Sequence, residues 1–319
     1  MEILKAFRVR LVLNEAQNDL AYRVAGSCRF LKNLALEQRS LVYRNSRRSV
    51  GFNAQCLDLT QLKKDLPWLN EAPSQVLQQA LKDMGQAFQN FFDGFAEHPT
   101  FHKKGQRDSF RFPQGFEVVG KQARIYLPKF GWVAYRQGRG KAIRPFQGEI
   151  RSITMSREGD SWFASILCKQ EAPEPRPIHG FAVGVDLGVK VPLALSTGEV
   201  LDIQGMTANE QVNLAKSQRV LARMVKFSKN WVKQKRKIAK LHQTVAHRRR
   251  DGINKATTYL AKNHRLVVVE DLRLKNMTKA PAAKPDPEQE GSFLPNGAAA
   301  KAGLNRVILD KALGEVLRQ

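Results

Sequence analysis

The stretch FAVGVDLGVKVPLALSTGEVLDI, residues 181–203, decides the fold of the second half of the chain. Phe181–Val185 is an apolar run with the length and composition of a buried strand, and Asp186 ends it. Leu187-Gly188 then turns the chain into a further apolar strand. Residues 265–270, RLVVVE, repeat the pattern: the apolar run Leu266–Val269 is closed by Glu270. Each carboxylate therefore stands at the C-terminal edge of a predicted buried strand. If these strands are neighbours in one sheet, the two acids meet although they are far apart in the chain. Clustered carboxylates are what hard divalent cations require, and metal held in this way can clamp the oxygens of a phosphodiester. Taken alone, Asp186 also fits a turn residue capping the Leu187-Gly188 bend, and Glu270 a strand-end charge facing solvent. Asp271 is the poorer ligand, because alternation points it away from Glu270.

Outward from these strands, residues 210–262 form a long basic helical region, residues 278–302 are rich in Pro, Ala, Gly and Lys and read as mobile, and Ile308–Leu317 reads as a last helix. On the N-terminal side, EAPEPRP (171–177) is a stiff proline-rich linker. Before it, Arg124–Leu127, Gly131–Tyr135, Ile150–Met155 and Trp162–Cys168 are short β-like runs of a small barrel or sandwich. Residues 2–13 read as a strand, 14–43 as a helix and 44–53 as a loop. A second helical block covers 59–92, with Pro73 suited to the first turn of its last helix. Phe88, Phe91, Phe92 and Phe95 at its end are expected to pack in the core.

Lys and Arg total 53 against 29 Asp and Glu in 319 residues, a formal charge of +24. Such a charge opposes compaction, and a polyanion that neutralises it is the natural partner. Cys28, Cys56 and Cys168 have neither CxxC spacing nor even number, so they read as free thiols of a reducing compartment. The N-terminus MEILKAFRVRLVL has no signal-peptide pattern and no apolar run reaches the length of a membrane span, so a soluble, intracellular protein is expected.

VGVDLGVKVPLALSTG resembles the first RuvC motif of the TnpB family, the RNA-guided nucleases of bacterial insertion sequences, and LVVVEDLRLKNM resembles the second. Four further segments resemble the family in the same order: CRFLKNLAL (28–36), LTQLKKDLPWLNEAPSQVLQQALKDMGQAFQNFF (59–92), HPTFHKKGQRDSFRFP (98–113) and HRRRDGINKATTYLAKNH (247–264). The resemblance implies an α/β multidomain protein. A helical recognition lobe (14–95) is inserted in a small β-barrel wedge domain (1–13 and 96–172). A linker (173–179) leads to a ribonuclease H-like RuvC domain (180–319). The family continues, after a helix like GLNRVILDKALGEVLRQ, into a strand, a four-cysteine zinc ribbon and a third RuvC motif with another aspartate. This sequence stops at Gln319, so the RuvC domain is expected to be incomplete and zinc to belong only to that further segment. Asp310 does not replace the third acid.

The resemblance further implies a metal-dependent RNA-guided DNA endonuclease in which Asp186 and Glu270 ligate two Mg2+ ions. Its partners are a guide RNA and double-stranded target DNA with a short adjacent motif, its setting the prokaryotic cytoplasm and nucleoid, with no membrane role. Phe52, Asn53, Gln75, Gln78, Gln79, Gln106 and Ser109 occupy the places that would read the adjacent motif. Glutamine suits adenine, and a phenyl ring suits a thymine methyl. Lys103, Lys104, Lys233, Lys235, Arg236, Lys237, Arg248, Arg249 and Arg250 would contact RNA or heteroduplex phosphates. For individual residues a solvated helix surface explains the same cations. Two other readings stay open: a repressor-like guided DNA-binding protein impaired in cleavage, and a miniature type V CRISPR effector.

Overall fold

The computed structural model describes residues 1–137, 146–174, 180–289 and 291–319. The chain divides into two compact units, Met1–Glu174 and Pro175–Gln319. Most of the expected linker, residues 175–179, lies outside the described residues.

The first unit begins with β1 (Glu2–Val12), whose alternation buries Val9 and Leu11 and leaves Arg8 and Arg10 outward. Asn14 then starts α1 (Glu15–Ser46) through a reciprocal cap. Its side chain accepts from the Gln17 amide at 2.8 Å, and the Gln17 side chain accepts from the Asn14 amide at 3.2 Å. The helical block 59–92 resolves into α2 (Phe52–Asp65), a 3-10 turn at Pro67–Glu71 and α3 (Ser74–Phe92). Leu66 precedes Pro67, and a residue before proline is driven out of the helical region, which ends α2. The expected loop 44–53 is shorter than read, because α1 runs to Ser46 and α2 starts at Phe52.

Strands β2 (Ser109–Phe112), β3 (Glu117–Val119), β4 (Arg124–Leu127), β5 (Gly131–Arg136), β6 (Glu149–Glu158) and β7 (Ser161–Glu171) complete an antiparallel sheet in the order β2-β6-β7-β1-β5-β4-β3. The first strand of the chain is thus central, paired to β7 over Glu2–Arg10 and to β5 over Arg10–Val12. The sheet is a curled, open half-barrel. β2 and β3 end the strand order without pairing to each other, so the small barrel expected here is a half-barrel with two free edges among the described residues. One sheet face and helices α1–α3 share a core in which Leu31, Leu77, Ile125, Ile153 and Ile166 are buried. Gly148 lets β6 begin against β7: its φ is +84°, and a Cβ there would lie 2.2 Å from the Lys169 carbonyl oxygen. Of the four phenylalanines expected in the core, only Phe88 is buried. Phe92, the last residue of α3, and Phe95, just beyond it, are exposed.

The second unit is built on β8 (Ala182–Asp186), β9 (Leu193–Leu195), β10 (Val200–Leu201) and β11 (Leu266–Val269), in the order β10-β9-β8-β11. β8 to β10 meander antiparallel, and β11 is parallel to β8. A parallel neighbour needs a long crossover. Here α4 (Ala208–Arg223) and α5 (Lys229–Asn263) provide it, packed as a hairpin. The basic region 210–262 is therefore two helices, broken where Ser228 caps α5 by accepting from the Trp231 amide at 3.1 Å. Val183, Val185, Leu193, Ile203, Ile253 and Leu260 form the core with Leu313 and Val316. After α6 (Leu274–Met277), the segment read as mobile forms a ribbon of β12 (Lys284–Pro285) and β13 (Phe293–Leu294). The last helix starts earlier than read, as α7 (Ala298–Lys311), and breaks at Ala312 (φ 50°) before α8 (Leu313–Val316).

Candidate functional site

In the second unit the parallel pairing of β8 and β11 runs from Leu266↔Ala182 to Val269↔Val185. The next residue of each strand is a carboxylate, Asp186 and Glu270. Adjacent strands lie about 5 Å apart. The register therefore sets the two acids side by side at the C-terminal ends of their strands, on the face opposite Val183 and Val185. Both are exposed, as is Asp271. The bend after Asp186 depends on Gly188, where a Cβ would fall 2.7 Å from the Val191 carbonyl oxygen. On the same strand, the Ser196 hydroxyl accepts from the Gly184 amide at 3.0 Å, tying β8 to the loop after β9. No group of three or more potential metal-ligating side chains forms among the described residues. The pair suits one Mg2+ ion, which commonly takes one or two carboxylates and fills its remaining positions with water and substrate phosphate.

Asp310 is engaged elsewhere. It accepts from Arg249 and, at 3.1 Å, from the Met206 amide, while Gly205 leaves room that a Cβ would fill. Arg248 forms a bidentate pair with Glu210, the capping-box acid of α4, and also donates to the Gly205 carbonyl at 3.2 Å. The two arginines, sequence candidates for phosphate contact, are thus committed to internal carboxylates. Arg250 is half-buried, whereas Lys233, Lys235, Arg236 and Lys237 are exposed on α5.

In the first unit the candidates for motif reading divide by exposure. Asn53, Gln75, Gln78 and Gln106 are exposed. Phe52 packs against the core, Gln79 donates to Asp83 at 2.8 Å, and Ser109 begins β2 half-buried. The loop carrying Lys103, Lys104 and Gln106 is held on α1. The Asn33 side chain donates to the His102 carbonyl at 3.0 Å and accepts from its amide at 2.7 Å. Asp108 bridges Arg29 at 3.1 Å and Arg157 at 2.9 Å, with only 7 % of its side chain exposed. Burial holds the His102 imidazole below its usual pKa, helped by Lys32, Arg107 and Arg29.

Sequence reading missed a further surface, the outer face of the half-barrel. Arg10 lies directly opposite both Arg136 and Phe163, and the exposed rings of Tyr126 and Trp132 are cross-strand partners with centroids 5.6 Å apart. Neither Arg10, Arg124 nor Arg136 forms an ion pair among the described residues. A polar cleft of about 280 Å3, lined by Arg10, Asn18, Arg136, Asp160 and Trp162, opens beside the arginine pair. Like charges facing each other across strands are destabilising, so this face favours an anion. The signal in the sequence was the Arg-apolar alternation of β1, Arg8-Val9-Arg10-Leu11, but which strands stand together is a tertiary fact. Cys28, Cys56 and Cys168 are free thiols, and burial pushes the Cys28 thiol up to about 12. Among the described residues no helix is long and apolar enough to cross a membrane.

Two family profiles match the chain: one described as "Probable transposase" (OrfB_IS605) over residues 165–280, and one described as "Helix-turn-helix domain" over residues 1–48, which here fold as β1 and α1. The "Putative RNA-guided DNA endonuclease InsQ" of Escherichia coli K12 is 39 % identical over 100 % of this chain and 77 % of its own length. A "Putative RNA-guided DNA endonuclease" of Streptomyces pristinaespiralis is 31 % identical over 87 % of this chain and 69 % of its own length. Among solved structures, a chain from the cryo-EM structure of a Cas12f1-sgRNA-target DNA complex aligns with 97 % of this chain and 88 % of its own, at 10 % identity and a TM-score of 0.47. With a relative 39 % identical over the whole of this chain, the chain belongs to the TnpB family of transposon-encoded proteins.

Proposed function

We propose that this protein is an RNA-guided DNA endonuclease in which Asp186 and Glu270 hold Mg2+ at the scissile phosphodiester. The carrying observation is the β8–β11 register, which sets two exposed carboxylates beside each other where a DNA phosphate can approach. Bound there, Mg2+ would stabilise charge on the phosphate and lower the pKa of a coordinated water. The side chains of Asp186 and Glu270 orient the site, and the Gly188 bend keeps the first acid at its strand end. In this reading residues 180–319 are the RuvC domain, residues 1–13 and 96–172 the wedge, and residues 14–95 the recognition lobe.

The partners are a guide RNA and a target duplex with a short adjacent motif. Base pairing reads the sequence, so the protein needs chiefly cations for phosphates and a few polar groups for the motif. The formal charge of +24, the arginines Arg10, Arg124 and Arg136, which form no ion pair among the described residues, and the exposed Lys103, Lys104, Lys233, Lys235 and Lys237 suit the first task. Asn53, Gln75, Gln78 and Gln106 are accessible for the second. A second reading, guided binding without cleavage, is favoured by the absence of a third clustered acid among the described residues.

Purified with co-expressed guide RNA and given a matched DNA library, the protein should cut beside one short motif only when Mg2+ is present, and Asp186→Asn should bind the same sites without cutting. Guide-dependent binding with no cutting by the unaltered chain would establish the second reading. Binding that ignores the guide would refute both.

A further inference from the structure

The α4–α5 hairpin ends in a tip, Met224–Ser228, that neither core cluster covers. Phe227 is 83 % exposed there and Val225 79 %. Phe227 also has φ +68°, a left-handed conformation that bulky residues seldom adopt. Its ring lies against Trp231 with centroids 5.5 Å apart, and the Lys235 ammonium sits 5.1 Å over the Trp231 ring. Strain of this kind persists where surrounding structure or function holds it. A hydrophobic staple around the Ser228 cap would explain an aromatic residue at position 227, but such a staple buries the ring, and this one is open.

The electrostatic setting is one-sided. Between Glu210 and Asp251 the sequence has 13 Lys and Arg and no Asp or Glu. Lys226, Lys229, Lys233 and Lys235 flank the two aromatic residues in the chain, all exposed. Flat rings among cations suit a polyanion that carries its own flat rings. Aromatic platforms bordered by Lys and Arg bind unpaired nucleotides in this way, with bases stacked and phosphates paired.

We propose that Phe227 and Trp231, with the lysines around them, form a stacking platform for an unpaired base of the guide RNA. This rests on the nucleic-acid reading above. The position favours RNA over the cleaved DNA strand. Ile253, which is buried in the same core as Val183 and Val185 of β8, is 22 residues beyond Trp231 on α5, about 33 Å of helix. The tip therefore stands far from where Asp186 and Glu270 would hold the scissile strand.

The test titrates the full-length chain with a uridine-rich single-stranded RNA and with a DNA of the same sequence, and maps ultraviolet cross-links by mass spectrometry. Phe227→Gly is the main variant, because glycine accepts φ +68° and so should fold at least as well as the parent. RNA affinity should fall about tenfold in Phe227→Gly and in Trp231→Ala, stay near the parent value in Phe227→Tyr, and cross-links should map to Phe227 or Trp231. Parent-like affinity in Phe227→Gly overturns the proposal while leaving the nucleic-acid reading intact. So does loss of self-association with RNA affinity unchanged, which would make the tip a protein contact. Preference of the tip for the DNA probe overturns the assignment to RNA. Failure of the unaltered chain to bind either probe at low salt would sink the nucleic-acid reading itself, and the proposal with it.

Discussion

Val185 of β8 and Val269 of β11 are partners in a parallel strand pair, so Asp186 and Glu270, the next residue of each, stand at the same level of the sheet. Asp271 lies past the end of β11, in a turn where the Leu272 amide donates to the Glu270 carbonyl at 3.0 Å. Replacing either Asp186 or Glu270 by its amide should weaken Mn2+ binding, followed by water-proton relaxation, by at least about tenfold. Asp271→Asn should leave it unchanged. Equal affinity in Asp186→Asn and the parent chain would show that the pair is not the metal site.

Gly188 makes a separate check on how that site is held. A methyl group there would lie 2.7 Å from the Val191 carbonyl oxygen, a backbone atom that cannot swing aside as a side chain can. Gly188→Ala should therefore shift the bend after Asp186 and lower Mn2+ affinity, with a stability loss of about 1–3 kcal/mol. An alanine variant with the parent's metal affinity and melting temperature would mean that the bend relaxes freely.

Asp108 is nearly buried between Arg29 and Arg157. Asp108→Ala would leave two partly buried guanidinium groups facing each other, a loss of about 3 kcal/mol, or roughly 6–12 °C in melting temperature. Thermal unfolding followed by circular dichroism measures it. A shift under 2 °C, less than about 1 kcal/mol, would rank the bridge with ordinary surface pairs.

The Arg248 guanidinium, together with the Thr207 cap, holds the Glu210 carboxyl down at about 2. A carboxylate depressed in the folded state contributes stability that is present above its ordinary value of 4.5 and is lost as pH falls toward 2. Acid should thus loosen the attachment of α4 to α5 between those values. Hydrogen exchange of the α4 amides should rise on acidification in the parent chain. In Arg248→Met it should already be high at neutral pH and change less. Identical pH profiles in the two proteins would show that the ion pair does not hold the hairpin.

Much of the local structure was legible because it depends on neighbours in sequence. Apolar runs ending in Asp186 and Glu270 mark β8 and β11, Asn14 and Pro73 mark helix starts, and the alternation of residues 2–13 marks β1. Local pattern was less informative where packing decides. The phenylalanines at the end of α3 look like core, but Phe92 and Phe95 are exposed. The region 278–302 has a composition of low regularity, yet a ribbon and the start of α7 form there. Arg248 and Arg249 look like free cations until Glu210 and Asp310, brought in by α4 and α7, pair with them.

By itself the sequence determined the excess of positive charge, the two strand-end acids and the family resemblance, because each is carried by residue types and short spacings. Only the tertiary structure decided that the acids share one register, that the first sheet stays open, and that Arg10 faces Arg136. Those relationships join residues from distant parts of the chain. They are set by which strands pair and which faces bury, and a one-residue slip in register would turn every side chain of a strand to its other face.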